Sequence, residues 1–200
     1  MPTRRGRPPS FDRAAVLDQL MMLFWERGYE ATSQADMIER AGISSSSLYN
    51  TFGNKPDVLA AVLERYTEMS YGLLGSLREG ERGLEDVEAF FDFVIGTAQS
   101  GELPPGCLMV RTMTELGGRT DPFPTEPYTT RYHNQVEDAL RAALGRAADR
   151  GEVAAASVDA KASLATSVYL GALAVAISDP DRGVAMLETG RQMVAGWRVP

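Results

Sequence analysis

Residues 32–55, TSQADMIERAGISSSSLYNTFGNK, carry more start and stop signals than any other stretch of the chain. Ser33 is placed to cap a short helix, and Asp36, three residues on, can reach back to its backbone as an Asp version of the capping box. Met37, Ile38 and Ala41 form the inward stripe of that helix. Gly42 stands where a helix end needs a positive φ. Ile43 plugs the turn, and Ser44 caps a second helix whose inward residues are Leu48 and Phe52. Helix, glycine-containing turn, helix in about twenty residues is the helix-turn-helix pattern, whose second helix can enter a DNA major groove.

This run resembles the DNA-binding domain of TetR-type transcriptional regulators. Thr32-Ser33, Ala41-Gly42-Ile43-Ser44, Leu48-Tyr49 and Phe52-Gly53-Asn54-Lys55 fall in register with that family's pattern, and the match is dense over residues 11–66. A generic helical hairpin would share the apolar spacing but not the Leu-Tyr and Phe-Gly-x-Lys placements. The resemblance assigns a recognition helix to residues 45–51. Ser45, Ser47 and Asn50 then face base edges, flanked by Ser44, Ser46 and Thr51, and Tyr49 reaches bases or phosphate. Asn can read adenine bidentately, whereas Ser is an undiscriminating donor and acceptor. Four consecutive serines give short reach, so water, DNA shape and basic side chains carry more of the recognition. Thr32, Ser33, Tyr49 and Lys55 are candidate phosphate clamps. Ser33 also serves as a plain N-cap, and Tyr49 has an alternative role as a core-edge aromatic.

The net charge of −7 is unfavourable for a polyanion, but it is unevenly spread. Residues 1–55 hold seven Lys/Arg and six Asp/Glu; the remainder holds 13 and 21. Binding must therefore use a narrow local surface. Arg4, Arg5 and Arg7 sit in a Pro- and Gly-containing stretch too polar to pack, an arm suited to a minor groove. Its bland alternative is a solvated tail.

The rest of the sequence predicts an all-α chain of about nine helices. Residues 1–10 form the flexible basic arm, 11–55 the helix-turn-helix domain, and 56–200 a ligand-binding and dimerisation domain. Val16, Leu17, Leu20, Met21 and Phe24 mark the inward face of the first helix. Trp25 and Tyr29 close the small core. Asn54 caps a connector helix expected to run to about Leu77, roughly 35 Å of rod. Residues 117–127, with three prolines and two glycines, read as a loop and a plausible lid.

Residues 160–177 are apolar or small on nearly every face, the mark of a buried helix. In a chain this small, burial so complete suggests a subunit interface, and the resemblance implies a homodimer joined by the last two helices. Leu164, Val168, Gly171, Ala172, Val175, Leu187 and Val194 are the interface candidates; an internal core helix is the alternative. The resemblance also implies a small-molecule inducer held in the C-terminal half, between the connector helix and residues 157–178. Phe90, Phe91, Met109, Met113, Tyr132 and Val168 are the candidate lining, with Arg111 near them. Cys107 in its Gly-Cys-Leu setting resembles a subset of the family in which a cysteine senses oxidants or electrophiles, and Arg111 one turn on can favour thiolate. A buried free cysteine more often acts as a small hydrophobe.

Other function classes find little support. There is no Gly-x-Ser-x-Gly and no Gly-rich phosphate loop. One His and one Cys cannot make a four-ligand zinc site within one chain. The longest uncharged apolar run, residues 162–177, is shorter than the roughly 20 residues that span a bilayer. The expectation is a cytoplasmic regulator, not an enzyme, with no cofactor beyond an effector and no membrane. Its partner would be palindromic double-stranded operator DNA. A dimeric adaptor whose helix-turn-helix binds protein is the other class left open.

Overall fold

The computed structural model describes residues 11–120 and 124–199; Arg4, Arg5 and Arg7 and residues 121–123 of the proline-rich loop lie outside them. Among the described residues there are ten α-helices, one short 3₁₀ turn and no strand. In order they are α1 (Arg13–Arg27), α2 (Gln34–Ala41), α3 (Ser45–Phe52), α4 (Lys55–Leu73), α5 (Gly75–Glu79), α6 (Leu84–Ser100), α7 (Leu108–Leu116), α8 (Glu126–Asp149), α9 (Val158–Ala176) and α10 (Pro180–Ala195).

Helices α2 and α3 have eight residues each, too few to persist alone in water. Caps and burial hold them. Ser33 accepts from the Asp36 amide while Asp36 accepts from the Ser33 amide, so the capping box forms as the sequence predicts. Gly42 turns the chain at φ +62°, where a β-carbon would be strained. Ser44 caps α3, and Asn54 with Asp57 repeats the box at α4. Met37, Ala41, Leu48 and Phe52 are buried in one core with Leu20, Phe24 and Leu59. Arg40 grips Glu26 with both guanidinium nitrogens at 3.1 and 2.6 Å, tying α2 to α1.

The tenth helix arises in the connector. The expected rod breaks at Leu74, between Gly72 and Gly75, and restarts as α5. Two glycines so close together each cost about 1 kcal/mol in a helix interior, which favours a break there. The break is then fixed from outside: Arg146 of α8 donates to the Leu77 and Arg78 carbonyls at 2.5 and 2.9 Å.

Behind the connector, α8 runs through the body with Tyr132, Val136, Ala139, Leu140, Ala143 and Leu144 buried. Helices α9 and α10 pack on each other, α9 also on α8 and α10 on α6. α9 is two-faced in a way its composition hides. Ala162, Ala165, Thr166, Tyr169, Ala172, Leu173 and Ala176 are buried within the chain. On the opposite side Leu164 is 46% exposed, and Val168, Gly171 and Val175 are only half-buried. Three interface candidates are corrected by this geometry. Ala172, Leu187 and Val194 are at most 1% exposed, because they stand on the inward faces where α9 and α10 meet the body.

Candidate nucleic-acid interface and effector cavity

Burial of Leu48 and Phe52 fixes which way α3 faces. Ser44, Ser45, Ser46 and Asn50 are exposed, and Ser47, Tyr49 and Thr51 half-buried. The hydroxyls of Ser46 and Ser47 lie 3.0 and 2.9 Å from that of Ser44, so the serine cluster is internally bonded around the cap. Asn50 carries the long polar group of this face. Its neighbour surface is locked by ion pairs: Arg27 meets Asp36 at 2.7 Å, and Arg40 is spent on Glu26. The Ser33 hydroxyl, the Ser33 amide and Arg27 together hold the Asp36 carboxyl below the usual aspartate range.

Two phosphate-clamp candidates sit differently from the expectation. Thr32 is fully buried; its hydroxyl donates to the Gly28 carbonyl at 2.6 Å and its amide to Tyr29, so it ties the turn and has no donor left for phosphate. Lys55 places its ammonium 4.1 Å from the Tyr29 ring centroid. Partial burial lowers its pKa from the ordinary lysine value, opposed by Glu30, Glu115 and Asp36. Ser33 and Tyr49 remain at the surface or its edge.

The turn between α1 and α2 is gripped from the other half of the chain by a residue that sequence reasoning passed over. The Glu115 carboxylate, at the end of α7, accepts from the Tyr29 and Glu30 amides at 2.9 and 2.7 Å. Gly28 makes room for it at φ +83°: a β-carbon there would stand 2.7 Å from Glu115 Oε2. Arg119 adds a 2.7 Å ion pair to Glu30.

The other end of α7 begins at Cys107, which lines an apolar cavity of about 340 Å³. Trp25 of α1, Tyr66 and Leu73 of α4, Phe93 and Val94 of α6, Tyr169 and Leu173 of α9 and Val184 and Leu187 of α10 share its wall. None of Phe90, Phe91, Met109, Met113, Tyr132 and Val168 does. Phe90 and Tyr132 reach only a neighbouring space of about 50 Å³. Phe91 and Met109 are completely buried core. Helical spacing found buried residues in Phe90, Phe91, Met109 and Tyr132, but Met113 and Val168 are only half-buried, Val168 on the outward side of α9, and spacing could not say which residues border empty space.

Beside the cavity runs a chain of hydroxyls and a thiol. Tyr66 Oη lies 3.1 Å from Cys107 Sγ, Cys107 Sγ 3.5 Å from Tyr132 Oη, and Tyr132 Oη 3.2 Å from Tyr169 Oη. Burial pushes all three tyrosines above the usual phenol range, so each keeps its proton. Cys107 is 1% exposed and is bonded to these hydroxyls; among the described residues no bond joins it to the Arg111 guanidinium. Trp25 is buried too, but its indole N–H finds no acceptor among the described residues.

Comparison with known proteins fits this layout. The pattern of bacterial regulatory proteins of the tetR family matches residues 16–62, and that of the tetracyclin repressor-like C-terminal domain matches residues 83–188. The HTH-type transcriptional repressor ComR of Escherichia coli (strain K12) is 40% identical over 114 residues, 56% of this chain and 54% of ComR, so the match spans about half of that relative. The uncharacterized HTH-type transcriptional regulator YezE of Bacillus subtilis (strain 168) is 29% identical over 78% of this chain and 80% of its own length. A cysteine mutant of the TetR family transcriptional regulator CifR, solved with 26-base-pair double-strand operator DNA, superposes with a TM-score of 0.77 at 26% identity, covering 94% of this chain and 98% of that one. With both halves matched in order and the second match alone covering residues 83–188, the chain belongs to the TetR family of bacterial transcriptional regulators.

Proposed function

We propose that the chain is a cytoplasmic transcriptional repressor that grips a palindromic operator as a homodimer and is released by a small-molecule inducer. The observation that carries this reading is the solvent-facing polar side of α3, Ser45, Ser46 and Asn50 above a buried Leu48 and Phe52. ComR is a repressor by name and CifR was solved on operator DNA, which supports the same role here. Residues 1–10 act as the basic arm, 11–55 as the reading unit and 56–200 as the body. Within residues 11–55, four Lys/Arg stand against six Asp/Glu, so the unit alone is a poor polyanion binder and depends on Arg4, Arg5 and Arg7. The second copy covers the Leu164, Val168, Gly171, Val175 stripe, which no other element covers fully among the described residues. Among the described residues one helix, Ala155–Ala176, is long and apolar enough to cross a membrane by composition; only 33% of its most apolar window is buried, which leaves apolar surface for a second copy to cover.

The route from inducer to DNA follows from shared elements. Trp25 belongs to α1 and lines the cavity, and α7 runs from Cys107 at the cavity to Glu115 on the α1–α2 turn. A filled cavity shifts α1 and α7 together and thereby changes the spacing of the two α3 helices, which must fit grooves about 34–36 Å apart or a multiple of it. The Cys107 thiol belongs to the cavity wall; if it also reports electrophiles, Cys107→Ala abolishes their release of the operator, and unchanged release leaves it a wall residue.

The test is a mobility-shift assay with DNA flanking the chain's own gene. Arg4/Arg5/Arg7→Ala weakens binding and flattens the logarithmic salt dependence by about 0.9 per lost phosphate contact. Absence of any shifted complex sinks the reading, and an unchanged salt slope removes the arm from it.

A further inference from the structure

The hydroxyls and thiol beside the cavity carry one hydrogen more than their mutual contacts use. Tyr66, Cys107, Tyr132 and Tyr169 bring four hydrogens to three contacts. The Cys107 thiol donates to Tyr132 Oη at 3.5 Å. With that hydrogen committed, Tyr66 is the donor across its 3.1 Å contact and the sulfur accepts. The 3.2 Å contact between Tyr132 and Tyr169 is then left with two hydrogens where one suffices. Whichever phenol donates, the hydrogen of the other has no acceptor among the described residues. Burial pushes both phenols above their usual range, so neither loses that hydrogen by ionising. A buried donor left unmatched costs free energy that a bound acceptor recovers.

Tyr132 and Tyr169 both border the space of about 50 Å³ that lies against the main cavity. Tyr66, Leu73, Phe93, Val94 and Tyr169 are walls of both spaces. The smaller one exceeds the roughly 10–15 Å³ that a single water needs, so it has room for one small polar group. Ser70 borders it too, but its hydroxyl already donates to the Tyr66 carbonyl at 2.8 Å. The walls also limit the rest of the molecule. Among the described residues no Lys, Arg, His, Asp or Glu lines either space. An ionised ligand would lose its hydration there with no counter-charge to replace it. The main cavity, about 340 Å³ and walled by Leu73, Phe93, Leu173 and Leu187, suits an apolar body.

We propose that the cavity takes a neutral, largely apolar ligand with one hydrogen-bond acceptor, such as a ketone oxygen, which enters the side space and accepts the unmatched hydrogen of the Tyr132–Tyr169 pair. The proposal rests on the reading of the chain as an effector-controlled DNA binder and names the class of effector. Tyr132 belongs to α8 and Tyr169 to α9, so the directed contact lies in the body of the chain. Trp25 of α1 borders the apolar part of the ligand.

Equilibrium dialysis of the full chain against three probes of like size tests it: butyrophenone, its isostere 2-phenyl-1-pentene in which a methylene replaces the oxygen, and the anion 4-phenylbutyrate. Both neutral probes bind wild type, and the anion binds at least tenfold more weakly than the ketone. Tyr132→Phe combined with Tyr169→Phe weakens butyrophenone by about 3- to 10-fold, the ratio one net hydrogen bond supports, and changes the hydrocarbon less than twofold. Tyr66→Phe changes neither by more than about twofold, because the Tyr66 hydrogen goes to Cys107. If the double variant unfolds, infrared spectroscopy of wild type decides: the carbonyl stretch of bound butyrophenone, isotopically labelled to clear the amide band, lies below its position in hexane. A stretch at the hexane position, or equal losses for both neutral probes in the double variant, overturns the proposal. A loss in Tyr66→Phe as large as in the double variant places the acceptor at the other end of the chain and overturns it as well. Tight binding of the anion overturns the neutrality of the site, and no binding of any probe overturns the ligand class. Operator binding by wild type, read by mobility shift without any probe, stands or falls independently of these results.

Discussion

The two ends of the chain leave surface uncovered in opposite ways. At the reading unit, α2 and α3 bury Met37, Ala41, Leu48 and Phe52, and α3 shows water a face of serine hydroxyls and the Asn50 amide. At the far end, α9 buries one side and shows water Leu164, Val168, Gly171 and Val175. The first surface is complete without a partner, since its polar groups are content in water or against phosphate. The second is not, because apolar area left in solvent forgoes about 25 cal/mol per Å². The first is held by its own caps and burial, and the second is the surface we propose is covered by a second chain.

The sharpest way to break that contrast is to charge the uncovered stripe. Leu164→Glu with Val175→Glu leaves the fold intact, because neither side chain is buried within the chain. It converts a dimer into a monomer in sedimentation at micromolar concentration. It also weakens operator binding by about 100-fold or more, as each recognition helix then binds without its tethered twin. A variant that remains dimeric would assign the stripe to some other use.

Next in size is the joint between the two regions. Glu115→Ala strips the acceptor from the Tyr29 and Glu30 amides. The cost is about 1–3 kcal/mol, a fall in Tm of about 2–10 °C for a chain of this size. Operator affinity of the variant should also respond less to an inducer than wild type does. Normal induction with lowered Tm would make Glu115 a structural tie alone. On the reading face itself, Asn50→Ala leaves the melt unchanged, since Asn50 is exposed. It costs about 1–3 kcal/mol at one base step if the amide reads adenine. Equal loss on every sequence moves Asn50 to the phosphate backbone.

The same contrast explains how far the sequence could be read. Ser33 with Asp36, Gly42, Ser44 and Asn54 announce their roles within three or four residues, and the structure places each where its spacing predicts. Thr32 belonged to the same readable stretch yet turned inward, because its partner is the Gly28 carbonyl one turn back and not the solvent. The body is built from contacts that cross the chain. Glu115 meets Tyr29 across 86 residues, and nothing around Glu115 hints at it. Trp25 looked like core and is core, but the empty volume beside it is bounded by five helices and has no sequence signature. On α9, uniform apolarity hid two faces with different fates; only the α10 and α8 neighbours show that Ala172 looks inward and Leu164 out.

The smallest effect probes the local half of the contrast through pH. The Asp36 carboxyl accepts from the Ser33 hydroxyl at 2.5 Å and the Ser33 amide at 2.7 Å, and it faces Arg27. These contacts hold its pKa below the usual aspartate value. A carboxyl depressed in the fold stabilises it fully above the unfolded pKa of about 3.9, and loses that contribution as pH falls through the lower folded value. Wild type therefore sheds this part of its stability in the acid limb below about pH 4, as Asp36 takes up a proton. Asp36→Asn cannot titrate, so the difference between wild-type and variant melting temperatures should stay level from pH 6 to about pH 4 and shrink only below that. Asn can still accept one bond from the Ser33 amide, so the neutral-pH loss is modest. A difference that stays flat through the acid limb would show that the box works by shape and hydrogen bonding alone, without help from the charge.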